Sequence, residues 1–286
     1  IGTTHFTNAI VERRYLSPVA TIRLCLPATA ALPPMVDWPE DLLASLEHAV
    51  YLAHGGNEFD GRIITPFDED EIRGIAREIA TKGITAVAIS SVFSPVNAEM
   101  EDRAVEVVAA EIPGATVTKS NEIGRIGLLE RENAAILNSS LRALADRTVA
   151  AFERAITDLG IAAPLYLTQN DGTLMVSDFA RTYPVLTIAS GPTNSMRGAA
   201  FLSGLTDAIV VDIGGTTTDV GMLAHGFPRE ASVAVQVGGV RTNFRMPDVS
   251  SVGLGGGSLV DLNAMTVGPQ SVGYRRTEQA RAFGGD

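Results

Sequence analysis

The chain has 286 residues, 45% of them hydrophobic, enough to bury one large core or two smaller ones and inconsistent with a disordered chain. Its net charge is -11, with 33 acidic against 22 basic residues and no basic cluster longer than Arg275-Arg276, which leaves no electrostatic footprint for nucleic acid or an anionic membrane. A single cysteine, Cys25, excludes an internal disulfide and any multi-cysteine zinc or iron-sulfur site within these residues, and fits a reducing cytoplasm.

No apolar run approaches the ~20 residues that cross a bilayer; the stretch from Leu24 to Val36 is broken by Pro27, Pro33 and Pro34. Aromatics are only 6%, and the apolar content is mostly Ala, Val, Ile and Leu, as expected of helices packed on buried parallel strands. From Asp68 to Lys82, Ile72, Ile75, Ala76 and Ile79 recur at three and four residues behind an Asp68 N-cap with Glu71 three residues on, which predicts an amphipathic helix stopped by Gly83. Thr85 to Val92 reads as a strand covered on both faces, closed by Ser94-Pro95. A second helix is expected from Asn97 to Glu111, then a Pro113-Gly114 turn and a strand at Ala115 to Thr118. A long helix follows from Leu129 to Leu159, stopped by Gly160, and then a strand from Leu165 to Thr168.

Asn170-Asp171-Gly172 reads equally as a hairpin turn or as polar groups at the carboxyl end of a parallel strand, where ligands bind in open α/β sheets. Val185 to Ile188 is expected to be a strand; Ser190-Gly191-Pro192 then leads into a small-residue helix through Ser195, Gly198 and Ala200 to Gly204. Strands are expected at Ala208 to Ile213, Thr218 to Leu223 and Ser232 to Gln236, with a domain boundary near Leu205. The last forty or so residues, rich in glycine and poor in helical pattern, suggest incomplete or ligand-shaped structure.

The chemistry concentrates in Asp212-Ile213-Gly214-Gly215-Thr216-Thr217-Thr218-Asp219. Its paired glycines leave backbone amides uncovered for phosphate oxygens. The hydroxyls of Thr216, Thr217 and Thr218 can donate to the same oxygens, while Asp212 and Asp219 suit a hydrated Mg2+ beside a polyphosphate such as ATP. The bland alternative is a plain hairpin, since Gly-Gly is a common turn and threonine a good strand former. No Gly-x-x-x-x-Gly-Lys-Ser/Thr is present, and the only lysines, Lys82 and Lys119, lie far along the chain from the glycine-rich segments, which rules out a P-loop enzyme. Gly255, Gly256, Gly257 and Ser258 lack a dinucleotide fold's context and read as a backbone surface for a ligand or a second strand, or as a flexible loop. His5, His48, His54 and His225 contain no i,i+4 ligand pair, and no Gly-x-Ser-x-Gly suggests covalent hydrolysis.

Asp212 to Gly221, with Ser190-Gly191-Pro192-Thr193-Asn194-Ser195-Met196-Arg197-Gly198-Ala199-Ala200 before it, resembles the second phosphate motif and connecting helix of actin, sugar kinases and heat-shock chaperone ATPases. More narrowly, the chain resembles the hydantoinase A and 5-oxoprolinase family, in which Gly-Pro-x-x-Ser-x-x-Gly-Ala-Ala leads into Asp-Ile-Gly-Gly-Thr-Thr-Thr-Asp. Gly2-Thr3-Thr4, Thr7 to Arg13, Glu130-Arg131-Glu132-Asn133 and Gly255 to Ser258 match as well, so the likeness extends along essentially the whole chain.

That resemblance implies an α/β protein with an actin-like ATPase (ribonuclease H-like) fold in two lobes, residues 1–204 and 205–286. It also implies ATP and Mg2+ as cofactors, a small cyclic-amide substrate, and a second hydantoinase-type subunit or a homo-oligomer as partner. Its members couple ATP hydrolysis to the opening of hydantoins or 5-oxoproline, and relatives activate ketones for carboxylation. Family proteins open with another Asp-x-Gly-Gly-Thr hairpin and continue past the position of Phe283-Gly284-Gly285-Asp286, so the sequence is expected to be incomplete at both ends. Where many members carry a histidine shortly after Asp248, Val249 and Ser250 stand here, which weakens the expectation of a metal at Asp248.

Overall fold

The computed structural model describes residues 1–231, 234–275 and 278. The chain runs α1 (His5–Val11), β1 (Val19–Leu26), α2 (Glu40–Ser45), β2 (His48–His54), α3 (Glu69–Thr81), β3 (Ala86–Ser91), α4 (Glu99–Glu111), β4 (Thr116–Lys119), α5 (Leu128–Asp158), β5 (Tyr166–Thr168), β6 (Leu174–Val176) and α6 (Ser177–Thr182). It continues through α7 (Ser190–Ser203), β7 (Ala208–Ile213), β8 (Thr218–Ala224), β9 (Phe227–Pro228), β10 (Val235–Val237), β11 (Val240–Thr242), β12 (Val249–Val252), β13 (Ser258–Asp261) and β14 (Thr266–Ser271).

The chain packs as two compact units: Ile1–Gln169 with Thr173–Ile188 and Val233–Arg245, and Asn170–Gly172 with Ala189–Ser232 and Met246–Asp286. This departs from a cut at residue 204. Helix α7 packs on β7, β8 and β9 and so goes with the second unit, whereas β11 returns to α5, where Asn133 Nδ2 donates to Arg241 O at 3.0 Å.

In the first unit a parallel sheet has the order β2-β1-β3-β4. Alternation along β1 gives its two faces different chemistry. Ala20, Ile22 and Leu24 join Val87 and Ile89 of β3 in an apolar core against Ile72, Ala76 and Ile79 of α3 and Met100, Ala104 and Val108 of α4. Arg23, on the other face, reaches Glu132 of α5, donating from Nε to Oε2 at 2.7 Å and from Nη2 to Oε1 at 2.5 Å, with both side chains buried. Ser90 of β3 donates to the same Oε2 at 2.6 Å. The bidentate geometry and the third donor are what permit a buried ion pair here.

Arg131, beside it, gives every guanidinium nitrogen an acceptor: Ser120 Oγ, Arg125 O, Ile126 O and Ser91 O, at 2.7–2.9 Å. Ser120 in turn donates to the buried Glu101 of α4 at 2.6 Å, and Glu101 also accepts the amides of Ser91 and Asn121. Burial pushes the Glu101 carboxyl above the ordinary glutamate range, against the opposing pull of its bonds and of the Arg131 charge.

Asp68 caps α3 by accepting the Glu71 amide at 3.1 Å, and Gly83 beyond that helix takes φ +70°. β3, α4, β4, α5 and β5 form within two residues of their expected bounds. One expectation fails. Pro184–Thr187 is a 3-10 turn, not part of a strand, because Tyr183 and Pro184 start a turn that Thr187 Oγ1 closes on Pro184 O at 2.8 Å. Of the two readings of the Asn170 turn, the hairpin is the one found: β5 pairs antiparallel with β6, and Gln169 N donates to Thr173 O. In the glycine-rich stretch beyond residue 246, the described residues form β12, β13 and β14. Ser232, at the start of an expected strand, and Phe283 to Asp286 lie outside the described residues.

In the second unit β7 and β8 form an antiparallel hairpin, extended by β12 and β9 on the β8 side. β7 is an edge strand among the described residues, and its outward Ile209, Val211 and Ile213 are 70%, 54% and 70% exposed.

Candidate functional site

Strand alternation and register place the site's side chains. Asp212 of β7 lies opposite Asp219 of β8, so the two carboxylates share one face of the hairpin. Ile213 lies opposite Thr218, and residues 214–217 make the turn, with Gly214 N donating to Thr217 O at 2.9 Å. Thr216 and Thr217 are exposed at its tip. Thr218 is on the face opposite the aspartates and gives its hydroxyl to Leu254 O at 2.6 Å. Of the three threonines, the turn therefore presents two.

Neither aspartate forms an ion pair among the described residues. Asp219 accepts from Ser251 Oγ of β12, where Ser251 is its cross-strand neighbour. Sequence reading passed over Ser251; its one signal was a polar pair inside a short β-branched run. Two adjacent carboxylates with no basic partner repel one another, and a hard divalent cation relieves that. The donor set, two carboxylate oxygens beside an open turn, fits Mg2+, which is held by one or two carboxylates with water and phosphate completing its shell. It does not fit an all-protein cage, as no group of three or more potential acidic, histidine or cysteine ligands occurs among the described residues.

The glycine run lies directly against this turn. Gly256 N donates to Gly214 O at 3.0 Å and Gly257 N to Gly215 O at 2.7 Å. Gly255 N donates to Ser258 Oγ at 2.8 Å, and Ser258 N to Gly255 O. A Cβ on Gly255 would lie 2.7–2.8 Å from Gly214 O, Gly215 C and Thr216 N, which is why glycine is needed there although its φ is ordinary. All four amides of the run are thus engaged within the unit. Asp248 pairs with Arg229 instead of facing the turn's aspartates.

Two models of the hydantoinase/oxoprolinase family match this chain, the N-terminal region over residues 1–112 and the hydantoinase/oxoprolinase model itself over residues 131–286. The chain belongs to the hydantoinase/oxoprolinase family. It is similar to the caprolactamase subunit alpha of Pseudomonas jessenii, at 29% identity over 75% of this chain and 32% of that protein. It is also similar to the acetophenone carboxylase gamma subunit of Aromatoleum aromaticum, at 25% identity over 74% of this chain and 31% of that one. The crystal structure of an ATP-dependent caprolactamase from Pseudomonas jessenii shares its fold, with TM-score 0.74 and 24% identity over 96% of this chain and 42% of that one. The chain spans about a third of the length of the curated relatives it matches. No helix among the described residues is long and apolar enough to cross a membrane.

Proposed function

We propose that this chain supplies one half of the nucleotide site of an ATP-dependent hydrolase of cyclic amides, of the hydantoin or 5-oxoproline type. The observation that carries the reading is the β7–β8 turn, which sets uncovered amides and two exposed threonines beside paired, uncompensated carboxylates. Membership in the hydantoinase/oxoprolinase family gives that turn its chemical setting. In this reading the turn amides and the Thr216 and Thr217 hydroxyls hold the phosphates, and Asp212 and Asp219 hold Mg2+. Bound there, the cation would screen phosphate charge. When bound, ATP would supply a phosphoryl group to a carbonyl oxygen of the substrate with ADP leaving; water attacking the activated carbon would break the ring C–N bond, and a second water would release the phosphate. The hairpin together with α7 accords with an actin-like ATPase fold for the parent protein. A cytoplasmic enzyme working with a second hydantoinase-type subunit, or as a homo-oligomer, accords with the single buried cysteine and with relatives named as subunits.

A second reading rests on the carboxylase relatives: the same phosphoryl transfer, directed to bicarbonate, would open a carboxyl carbon to attack by the α-carbon of a ketone with phosphate leaving, and would make the parent a ketone carboxylase subunit. Phosphate release by the full-length protein with its partner subunit separates the two. Stimulation by hydantoin, 5-oxoproline or a simple lactam supports the hydrolase; stimulation by a ketone with bicarbonate supports the carboxylase. Turnover indifferent to every such substrate would sink both and favour a nucleotide-gated regulator. Asp212→Asn is expected to abolish the stimulated release.

A further inference from the structure

The peptides Gly214–Gly215 and Gly215–Thr216 are both trans, so each N–H points opposite to the C=O of the same peptide. Both of these carbonyls are taken from one side. Gly256 N reaches Gly214 O at 3.0 Å; Gly257 N at 2.7 Å and Ser271 Oγ at 3.1 Å reach Gly215 O. The Gly215 and Thr216 N–H bonds therefore point away from the Gly256 and Gly257 donors, and among the described residues neither donates to a backbone carbonyl. The clamp is anchored at each end: Thr218 Oγ1 holds Leu254 O before the run, and Val272 N holds Gly257 O after it.

We propose that Gly255–Ser258, with Ser271, is a positioning element that acts from behind the turn. By fixing two carbonyls it aims the Gly215 and Thr216 amides, as a pair, at oxygens of a bound polyphosphate. The run itself does not touch the nucleotide, because its own amides are already spent. This rests on the nucleotide reading above and deepens it by separating the residues that bind phosphate from those that shape the binder. Two amides held in a fixed orientation meet an anion without paying again to order a glycine-rich turn.

The test uses backbone amide signals of the whole chain, in the wild type, in Gly255→Ala and in a control, Gly74→Ala, whose added methyl meets nothing on the exposed face of α3. In the ligand-free wild type, the Gly256 and Gly257 amides should exchange slowly with solvent and those of Gly215 and Thr216 quickly. In Gly255→Ala the slow pair should become fast, with the circular dichroism retained. Equal exchange of all four amides in the wild type would overturn the proposal, whatever the chain binds. With magnesium-ATP added, the signals of Gly215 and Thr216 should move most, and Gly255→Ala should weaken binding about tenfold, the scale of crowding one methyl into packed backbone. Shifts centred on Gly256 and Gly257 would make the run the binder and overturn the proposal, as would unchanged affinity in Gly255→Ala. A wild type that shows the exchange pattern but binds no magnesium-ATP overturns the nucleotide reading instead, and the two failures are distinguishable. Ser271→Ala, which removes one donor without crowding, should weaken binding by a smaller factor in the same direction.

Discussion

At the start of α5, Arg131 and Glu132 sit among charges and hydroxyls that bond one another on every side, whereas at the β7–β8 turn Asp212 and Asp219 share one face with no basic side chain paired to either among the described residues. Both regions are polar. In the first, the bidentate Arg23–Glu132 pair and the Arg131–Ser120–Glu101 chain spend their hydrogen-bonding capacity internally, and the product is a rigid seat for a 31-residue helix. In the second, the backbone behind the turn is satisfied while its front is not. Polar residues at strand ends indicate a site only when their partners are lacking; where the partners are present, the same residue types are architecture.

The contrast can be broken most severely at Glu132. Glu132→Ala leaves the Arg23 guanidinium buried and unpaired, and urea unfolding should show about 3–5 kcal/mol lost. A loss under about 1 kcal/mol, the surface ion-pair range, would mean that water reaches this pair. Next in size is Asp68→Ala, which removes the cap of α3 and should cost about 1 kcal/mol without touching either polar region.

Glu101 sharpens the comparison through pH. Its folded carboxyl titrates above the unfolded value, so the stability it contributes is complete below about pH 4.3, the ordinary glutamate value, and is lost as pH rises through the folded value. Thermal melts of wild type and Glu101→Gln should therefore diverge with rising pH, to the disadvantage of the wild type. A difference that stays constant with pH would contradict this. The smallest stability effect belongs to Asp212→Asn, within about 0.5 kcal/mol because it removes no internal bond, although magnesium-ATP binding should be lost. Equal damage to folding and to binding would erase the distinction between the regions.

Much of this architecture was legible from residue order. The three- and four-residue spacing of Ile72, Ala76 and Ile79 behind Asp68 specifies α3, and the β-branched run before Ser94-Pro95 specifies β3. β1 was not recognised, because Arg23 interrupts an otherwise apolar strand and its partner Glu132 lies 109 residues away. Val185 to Ile188 was misread because a short buried apolar run has no period of its own to separate strand from turn. At the site, the motif indicated which residues gather, and register explains how: Asp212 and Asp219 on one face, Thr218 on the other. The engagement of the Gly256 and Gly257 amides depends on a loop closing back across some forty residues, which no local pattern encodes.

The bare edge of β7 bears on how the chain behaves at the bench. Among the described residues the β7 edge is unpaired, and such an edge beside the exposed Ile209, Val211 and Ile213 is a template for joining one copy to another. A net charge of -11 holds copies apart at low ionic strength, and added salt screens that repulsion within about 10 Å at 0.1 M. Added salt should therefore raise the apparent mass seen by light scattering, and Val211→Lys should widen the range of salt over which the molecules stay single.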